Sequence, residues 1–439
     1  MARVYLSFLG TNDYIPCAYY SSDGLGVPNV RFVQEATVQL FCKAWSQEDR
    51  ILIFTTDEAY RKNWEDNGHT DSDGKTPERE GLKRRLGRLG LQPSIQNVAI
   101  PEGKTEQEIW RIFQVLFESF GSSDRAIFDI THSFRSIPML AMVVLNYAKV
   151  MKGLSVESIY YGAFETLGSH QQASKMPLEH RRVPIFDLTA FDALLDWTLA
   201  IDRFLEAGDA TRACQLAMNE VRPLLRDSRG ADQAAAAIRS VAEELERFSK
   251  VMATCRGRKI SDVAIQLKRK VAQCAGLESV PAPFKPLLGK IAERMEVFSG
   301  DSIPDGVRAT RWCLEHNLIQ QACTILREVV IGYFVERAGA DPTNQDQREF
   351  ASHAAQKLAQ GKSTEEPLRN GKGDLQIKQR ILQVLEADLE LVKVYAKLAA
   401  ARNDLNHAGF RDNASHYSSF AKKMDDWLTI VELIIPKGR

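Results

Sequence analysis

The chain has 439 residues, more than one hydrophobic core ordinarily serves, so two or three domains are expected. Hydrophobic residues at 44% and charged residues at 26% exclude the disordered and fibrous classes. Lys+Arg and Asp+Glu each number 57, which excludes wholesale attraction to nucleic acid and requires any RNA contact to be local.

The N-terminal MARVYLSFLG lacks the basic and apolar regions of a signal peptide, and no later stretch is long and apolar enough to span a bilayer, so a cytoplasmic protein is expected. The seven cysteines, Cys17, Cys42, Cys214, Cys255, Cys274, Cys313 and Cys323, form no C-x-x-C pair and read as reduced core thiols.

Over the first 190 or so residues short apolar runs alternate with amphipathic stretches, which predicts a mainly parallel sheet with helices on both faces. The strand candidates are residues 4–10, 51–56, 94–100, 126–131 and 158–164, closed by an extended piece at 181–189. Thr105 and Glu108 form a capping box for a helix running to Phe120, with Ile109, Ile112, Phe113 and Leu116 on one face. The polar, Gly-containing segment 63–81 reads as a mobile surface insertion with a solvated His69.

From Ala190 the periodicity becomes helical. Residues 194–205, 210–225, 231–251, 260–275 and 284–298 read as amphipathic helices, and 375–401 as another. Breaks at 279–286 and 299–306 suggest a division into a sheet domain at 1–190, a linking helical bundle at 191–300 and a terminal helical domain at 301–439.

Two places carry chemistry. In the first half the strand 126–131 runs into His132, Ser133, Phe134, Arg135 and Ser136, at the carboxyl end where doubly wound sheets bind ligands. The hydroxyls of Thr131, Ser133 and Ser136 and the following helix N-terminus can hold phosphate or ribose, with Arg135 adding charge. No Walker A or G-x-G-x-x-G motif accompanies them.

In the second half Arg402, Asn403 and His407 stand at the end of a long helix. A guanidinium grips phosphate and an imidazole moves protons near neutrality, chemistry suited to RNA cleavage that requires no metal. Arg-x4-His also occurs at Arg311/His316, Arg348/His353 and Arg411/His416, so spacing alone does not choose. The first two of these pairs read as ordinary helix-surface residues, and the third as an auxiliary RNA contact.

The string Arg402-Asn403-x-x-x-His407-Ala408-Gly409 resembles the active-site motif of HEPN ribonucleases in their CRISPR-associated form. Asp129-Ile130-Thr131-His132-Ser133-Phe134-Arg135 is similar to the signature of a CRISPR-associated family named for Asp-x-Thr-His-Gly, with Ser133 where that family has Gly. Ser7 to Tyr14 resembles the first strand and loop of the same family, and Tyr160 to Glu165 is a weaker third likeness.

The resemblance implies a Rossmann-like CARF sensor domain followed by an all-α region with a HEPN domain, in a homodimer or higher homo-oligomer. It implies a cyclic oligoadenylate activator, tetra-adenylate before hexa-adenylate, bound by Gly10, Thr11, Asn12, Asp13, Thr131, His132, Ser133, Phe134, Arg135, Ser136 and Tyr161. Single-stranded RNA would be cut by Arg402 stabilising charge on phosphorus, His407 as general acid or base and Asn403 orienting one of them, with no cofactor or metal. The helices from about 190 to 300 would transmit the change.

A non-cutting, ligand-responsive nucleic-acid-binding regulator is the other reading, supported by the basic runs Arg256 to Lys259 and Lys268 to Lys270. A sensor half that cleaves its own ligand is compatible with the first.

Overall fold

The computed structural model describes residues 2–70, 78–132, 136–370, 374–410 and 412–435, with the side chains of 136–138 and 370 excepted. Met1–Ala193 and Leu194–Arg439 form two compact units.

The first unit is built on an eight-stranded mixed sheet, ordered β3-β2-β8-β7-β6-β1-β4-β5. Its strands are β1 (Arg3–Leu9), β2 (Cys17–Tyr20), β3 (Gly26–Val30), β4 (Arg50–Thr55), β5 (Ser94–Ala99), β6 (Arg125–Asp129), β7 (Ser155–Gly162) and β8 (Arg182–Asp187). Five of them, β5, β4, β1, β6 and β7, are mutually parallel. The antiparallel β8 then reverses the direction, and β2 and β3 extend the sheet beyond it.

The apolar run of β1, interrupted by the buried Ser7, follows from burial on both faces. Val4, Leu6 and Phe8 face a core completed by helices α3 (Glu106–Glu118) and α4 (Ser136–Lys152), while Tyr5 and Leu9 face α1 (Val33–Phe41) and α2 (Leu82–Gly87). The chain therefore makes the α/β layers expected from its alternating pattern.

The sequence pattern missed β2 and β3. CAYY is short for a strand, and GVPNV carries Pro28, which an edge strand tolerates because its outward amide needs no partner. The capping box of α3 is also shifted by one residue: Thr105 Oγ1 accepts from the Glu108 amide (3.2 Å), but Glu108 Oε2 accepts from the Lys104 amide (2.7 Å).

The segment at 63–81, expected as a loose insertion, is tied down where it is described. Asn63 is fully buried, His69 is half-buried against Asn63, and Asn67 and Arg79 bond each other. Residues 71–77 lie outside the described residues.

After the short helix α5 (His170–Lys175), α6 (Thr189–Ala207) contains the boundary between the units. The helical unit continues with α7 (Thr211–Asp227), α8 (Gln233–Ala253), α9 (Gly257–Ala275), α10 (Lys285–Met295), α11 (Ser302–Glu315) and α12 (Ile319–Arg337). It ends with α13 (Gln345–Ala359), α14 (Glu365–Asn370), α15 (Leu375–Ala387), α16 (Leu389–Asn406) and α17 (Ser419–Ile434).

One continuous buried cluster runs from Trp197 to Ile435, centred on Trp312 among Phe204, Phe248 and His316. Of the Gly/Pro break expected at 299–306, only 299–301 is non-helical; the rest opens α11, and the buried Asp305 carboxylate accepts from the Ser299 and Gly300 amides and from Ser261. The helix expected over 375–401 is two helices. Asp388 leaves helical geometry at φ −135° and caps the second through the Leu391 amide. All seven cysteines are free thiols, and all but Cys255 are buried.

Candidate functional site

Strand β1 is central, with β4 and β5 on one side and β6 and β7 on the other, so the strand order reverses between β1 and β6. A crevice opens beyond the carboxyl ends of the strands at such a switch point. The loop after β1, residues 10–16, and the turn after β6, at Thr131 and His132, flank it.

The turn is set from below by Asp129, which is wholly buried. One carboxylate oxygen accepts from Tyr5 (2.9 Å), Ser7 (3.3 Å) and Thr37 (3.3 Å), and the other from the Thr131 amide (3.0 Å) and hydroxyl (2.5 Å). Burial raises the Asp129 pKa, and these hydrogen bonds oppose it. Asp129 thus holds the turn. The Thr131 hydroxyl also accepts from the Gly162 amide (2.8 Å), which ties the β6 turn to the end of β7. A Cβ at Gly162 would meet Val33 at 2.7 Å, so that approach requires glycine.

The loop after β1 is held from several sides. The buried Asn63 amide donates to the carbonyls of Gly10 and Asn12, both at 2.9 Å. Buried Arg31 donates to the Tyr14 carbonyl (3.0 Å) and to Asp13 (3.0 Å), and His170 Nε2 meets the Asp13 carbonyl (2.8 Å). Arg79 bonds the other Asp13 oxygen. Burial works against the Asp13 carboxylate, yet Arg79, His69 and Arg31 outweigh it and its pKa lies below the ordinary value. Gly10 is packed under the Tyr14 hydroxyl, where a Cβ would approach to 2.3 Å.

Two cavities result, with volumes of about 290 and 560 Å3. They share Asn12, Tyr14, Thr131 and His132 as a common wall. The smaller is backed by Phe8, Phe54 and Ile100 and reached by Gly10, Thr11 and Thr56. The larger adds Asp13, Arg31, Tyr161, Phe164 and His170. Tyr14 and His132 rings lie 4.4 Å apart in the shared wall. His132 Nε2 is buried with no hydrogen-bond partner, and burial pushes its imidazole down to about 4. An orphaned ring nitrogen bordering two cavities is a point where a ligand atom would repay its desolvation.

Gly10, Thr11, Asn12, Asp13, Thr131, His132 and Tyr161, all singled out from the sequence, therefore line these cavities. Tyr161 donates to Glu165 (2.7 Å), and burial with that carboxylate pushes its phenol up to about 12. Ser133, Phe134 and Arg135 lie outside the described residues; Ser136 opens α4, its side chain likewise outside them. Sequence reasoning passed over Arg31, Asn63 and His170, whose roles come from long-range packing. Tyr14 closed the quoted β1 string without being chosen.

In the helical unit, Arg402 lies just before the last turn of α16, half-buried, and His407 is its exposed C-terminal cap. The chain turns sharply there: Ala408 and Gly409 take φ of 51° and 79°, and the Phe410 amide returns to the His407 carbonyl (2.9 Å). Asn403 is exposed and contributes its carbonyl to the His407 amide (3.2 Å). Among the described residues no hydrogen bond joins Arg402 to His407. Phe410 is 92% exposed and Tyr417 83%, two bare aromatic rings following the motif.

Burial raises the Cys255 thiol, against which act a hydrogen bond from Thr324 and the charges of Arg256 and Arg402. Both guanidiniums thus lie near one sulfur, which brings the basic run at 256–259 into the neighbourhood of Arg402. The other run is neutralised through Lys268–Glu296 and Lys270–Glu244, each at 3.1 Å.

Of the remaining Arg-x4-His pairs, Arg311/His316 departs from the expected helix-surface placement. Arg311 is not a plain surface residue but spans Glu432 and Asp425 on α17, and His316 is buried, stacked on Trp312 at 4.3 Å and bonded to the Leu205 carbonyl. Arg348 is tied to the Pro342 carbonyl and Glu328, while His353 is exposed. Arg411 lies outside the described residues, and His416 is exposed beside Ser418.

Residues 193–301 match the family model described as CRISPR-associated protein MJ1674, second domain. CRISPR-associated protein MJ1674 of Methanocaldococcus jannaschii is 28% identical over 124 residues, 28% of this chain and 18% of that relative. The likeness is to a CRISPR-associated protein. The family match falls between Thr131 and Arg402, so neither candidate site contributes to it. No helix among the described residues is long and apolar enough to cross a membrane.

Proposed function

We propose that this chain is an endoribonuclease of CRISPR-associated defence, switched on by a cyclic oligoadenylate held in the α/β unit and cutting single-stranded RNA with Arg402 and His407. The observation that carries it is the pair of cavities at the β1/β6 switch point, walled by Asn12, Tyr14, Thr131 and His132. Their polar rims and apolar floor suit alternating ribose-phosphate and purine groups, and the unpartnered His132 nitrogen suits a ligand polar atom. Cyclic tetra-adenylate is the favoured ring.

In the helical unit the 2′-hydroxyl would attack phosphorus and the 5′-oxygen would leave, giving a 2′,3′-cyclic phosphate. His407 moves a proton at one of these oxygens and Arg402 stabilises the charge on the phosphoryl oxygens. Phe410 and Tyr417 offer stacking faces for bases. A homodimer is part of the reading: α4 leaves Met139, Val143, Tyr147, Val150 and Met151 exposed beside Trp110 of α3. An apolar stripe of that extent suits a second copy, and α4 follows the Thr131 turn in the sequence.

The test is cleavage of a fluorescent single-stranded RNA in EDTA, without activator and with cyclic tri-, tetra- or hexa-adenylate. Cleavage with one ring, abolished by Arg402→Ala and by His407→Ala, is expected. Cleavage retained in both variants overturns the mechanism. Ring binding without cleavage favours the non-cutting regulator, for which the exposed Arg256, Arg258 and Lys259 speak.

A further inference from the structure

A second polar cleft, about 400 Å3, opens between α12, α13 and α16 in the helical unit. At its floor Tyr395 is fully buried, and its hydroxyl accepts from Arg327 (3.0 Å) and is bonded to Ser352 (2.6 Å). Because the tyrosine is engaged by both, the arginine fork and the serine hydroxyl are fixed in place. Arg348 forms the opposite wall, anchored on the Pro342 carbonyl at 2.9 Å.

Charge is arranged unusually here. Arg327 and Arg348 share a single carboxylate, Glu328, whose side chain is 48% exposed. Two guanidiniums oriented around one replaceable carboxylate form a place where a phosphate oxygen would substitute for it, since arginine forks match phosphate geometry. At the cleft mouth stand the exposed His353 and Gln356, with Glu349 as a further carboxylate.

Tyr395 and Arg402 lie on the same helix, seven residues apart. At ~1.5 Å and ~100° per residue they are about 10 Å apart along the axis and on nearly the same face. A stacked strand rises ~3.4 Å per nucleotide, so an RNA placed on Arg402 would bring a backbone phosphate some three nucleotides away within reach of this cleft.

We propose that the Arg327/Arg348/Tyr395 cleft binds a backbone phosphate of the same RNA strand that Arg402 and His407 cut, as a positioning subsite flanking the scissile bond. This rests on the ribonuclease reading of the helical unit. The sequence pair Arg348/His353 thereby acquires a binding role rather than a catalytic one.

The experiment uses the full chain carrying Arg402→Ala, so that RNA survives, and measures binding of a fluorescent single-stranded RNA by anisotropy. Placing two carboxylates at the mouth, His353→Glu with Gln356→Glu, is expected to weaken binding about tenfold, and Glu349→Gln to strengthen it a few-fold. Gln376→Glu with Gln379→Glu on the exposed face of α15 is the charge control. Wild-type affinity in the first two variants, or an equal loss in the control, overturns the subsite.

In the chain with Arg402 intact, the first variant should raise KM more for an RNA spanning both sites than for one too short to do so. Equal effects on both RNAs also count against the cleft. Failure of the reading itself is visible separately, as cleavage that survives Arg402→Ala and His407→Ala. The single substitution Glu349→Gln keeps the test valid should the double variant fold poorly.

Discussion

The loop after β1 and the turn after α16 both carry candidate chemistry, and they are built in opposite ways. The first is gripped from beneath by buried Asn63 and Arg31 and shares its wall with the turn that Asp129 holds. The second projects an exposed His407 past the end of a helix, on a turn in left-handed geometry at Ala408 and Gly409, with bare aromatics nearby. A rigid pocket whose polar atoms are pre-positioned discriminates among ligands. On the proposed reading, the exposed motif would be completed by RNA or by a second copy of the chain.

The sharpest way to break this comparison is at the exposed site, where function should suffer and folding should not. Arg402→Ala and His407→Ala are each expected to lower kcat by about 10²- to 10⁴-fold. Their melting temperatures should stay close to wild type, since neither side chain makes an ion pair among the described residues. A large drop in thermal stability with either variant would mean that the motif is a structural helix end.

The buried site should respond the other way. Asp129→Ala leaves the Tyr5 and Thr37 hydroxyls and the Thr131 turn without their acceptor, for a loss of about 3 kcal/mol in the α/β unit. Urea unfolding followed by tyrosine and tryptophan fluorescence measures it. If the α/β unit unfolds at the wild-type midpoint, the carboxylate network does not hold the turn.

These contrasts explain what was legible in the sequence. The central strands β1, β4 and β6 announce themselves because burial on both faces demands mainly apolar runs, whereas β2 and β3 carry edge chemistry that resembles a loop. The pocket residues were found where a strand ran straight into a distinctive string, as at Thr131 and His132. Asn63 was not, because its value lies in two carbonyls about fifty positions earlier, and nothing local to Asn63 reports them. His316 was misjudged for the same reason: its partner at Leu205 is over a hundred positions away. The break at Asp388 was hidden by apolar periodicity on both sides of it.

Asn63 itself gives a smaller effect confined to the α/β unit. Asn63→Ala removes the two hydrogen bonds to the Gly10 and Asn12 carbonyls and the Asn63 contact of His69, so the loop is loosened at its start while Thr131 and His132 remain in place. Affinity for cyclic tetra-adenylate, measured by calorimetry, should fall about 20-fold. RNA cleavage at saturating activator should approach the wild-type rate. An unchanged affinity would show that the loop is positioned without this contact.

The finest test uses proton linkage at His132. Burial holds its imidazole at about 4 in the folded chain, against ~6.5 when unfolded. Between these values the unfolded state carries a proton that the folded state lacks, so stability is full above pH ~6.5 and is lost as pH falls toward ~4. By about pH 5.5 the loss amounts to roughly 1.4 kcal/mol. Ligand binding should have the opposite sign. A phosphate oxygen seated at Nε2 favours the protonated ring and raises its pKa, so the ring should bind more tightly as pH falls through that window, with proton uptake in calorimetry. His132→Asn should flatten both profiles. If the stability profile flattens but the binding profile does not, His132 supports the pocket wall without touching the ligand, and the contact must be sought at Asn12 and Tyr14 on the opposite loop.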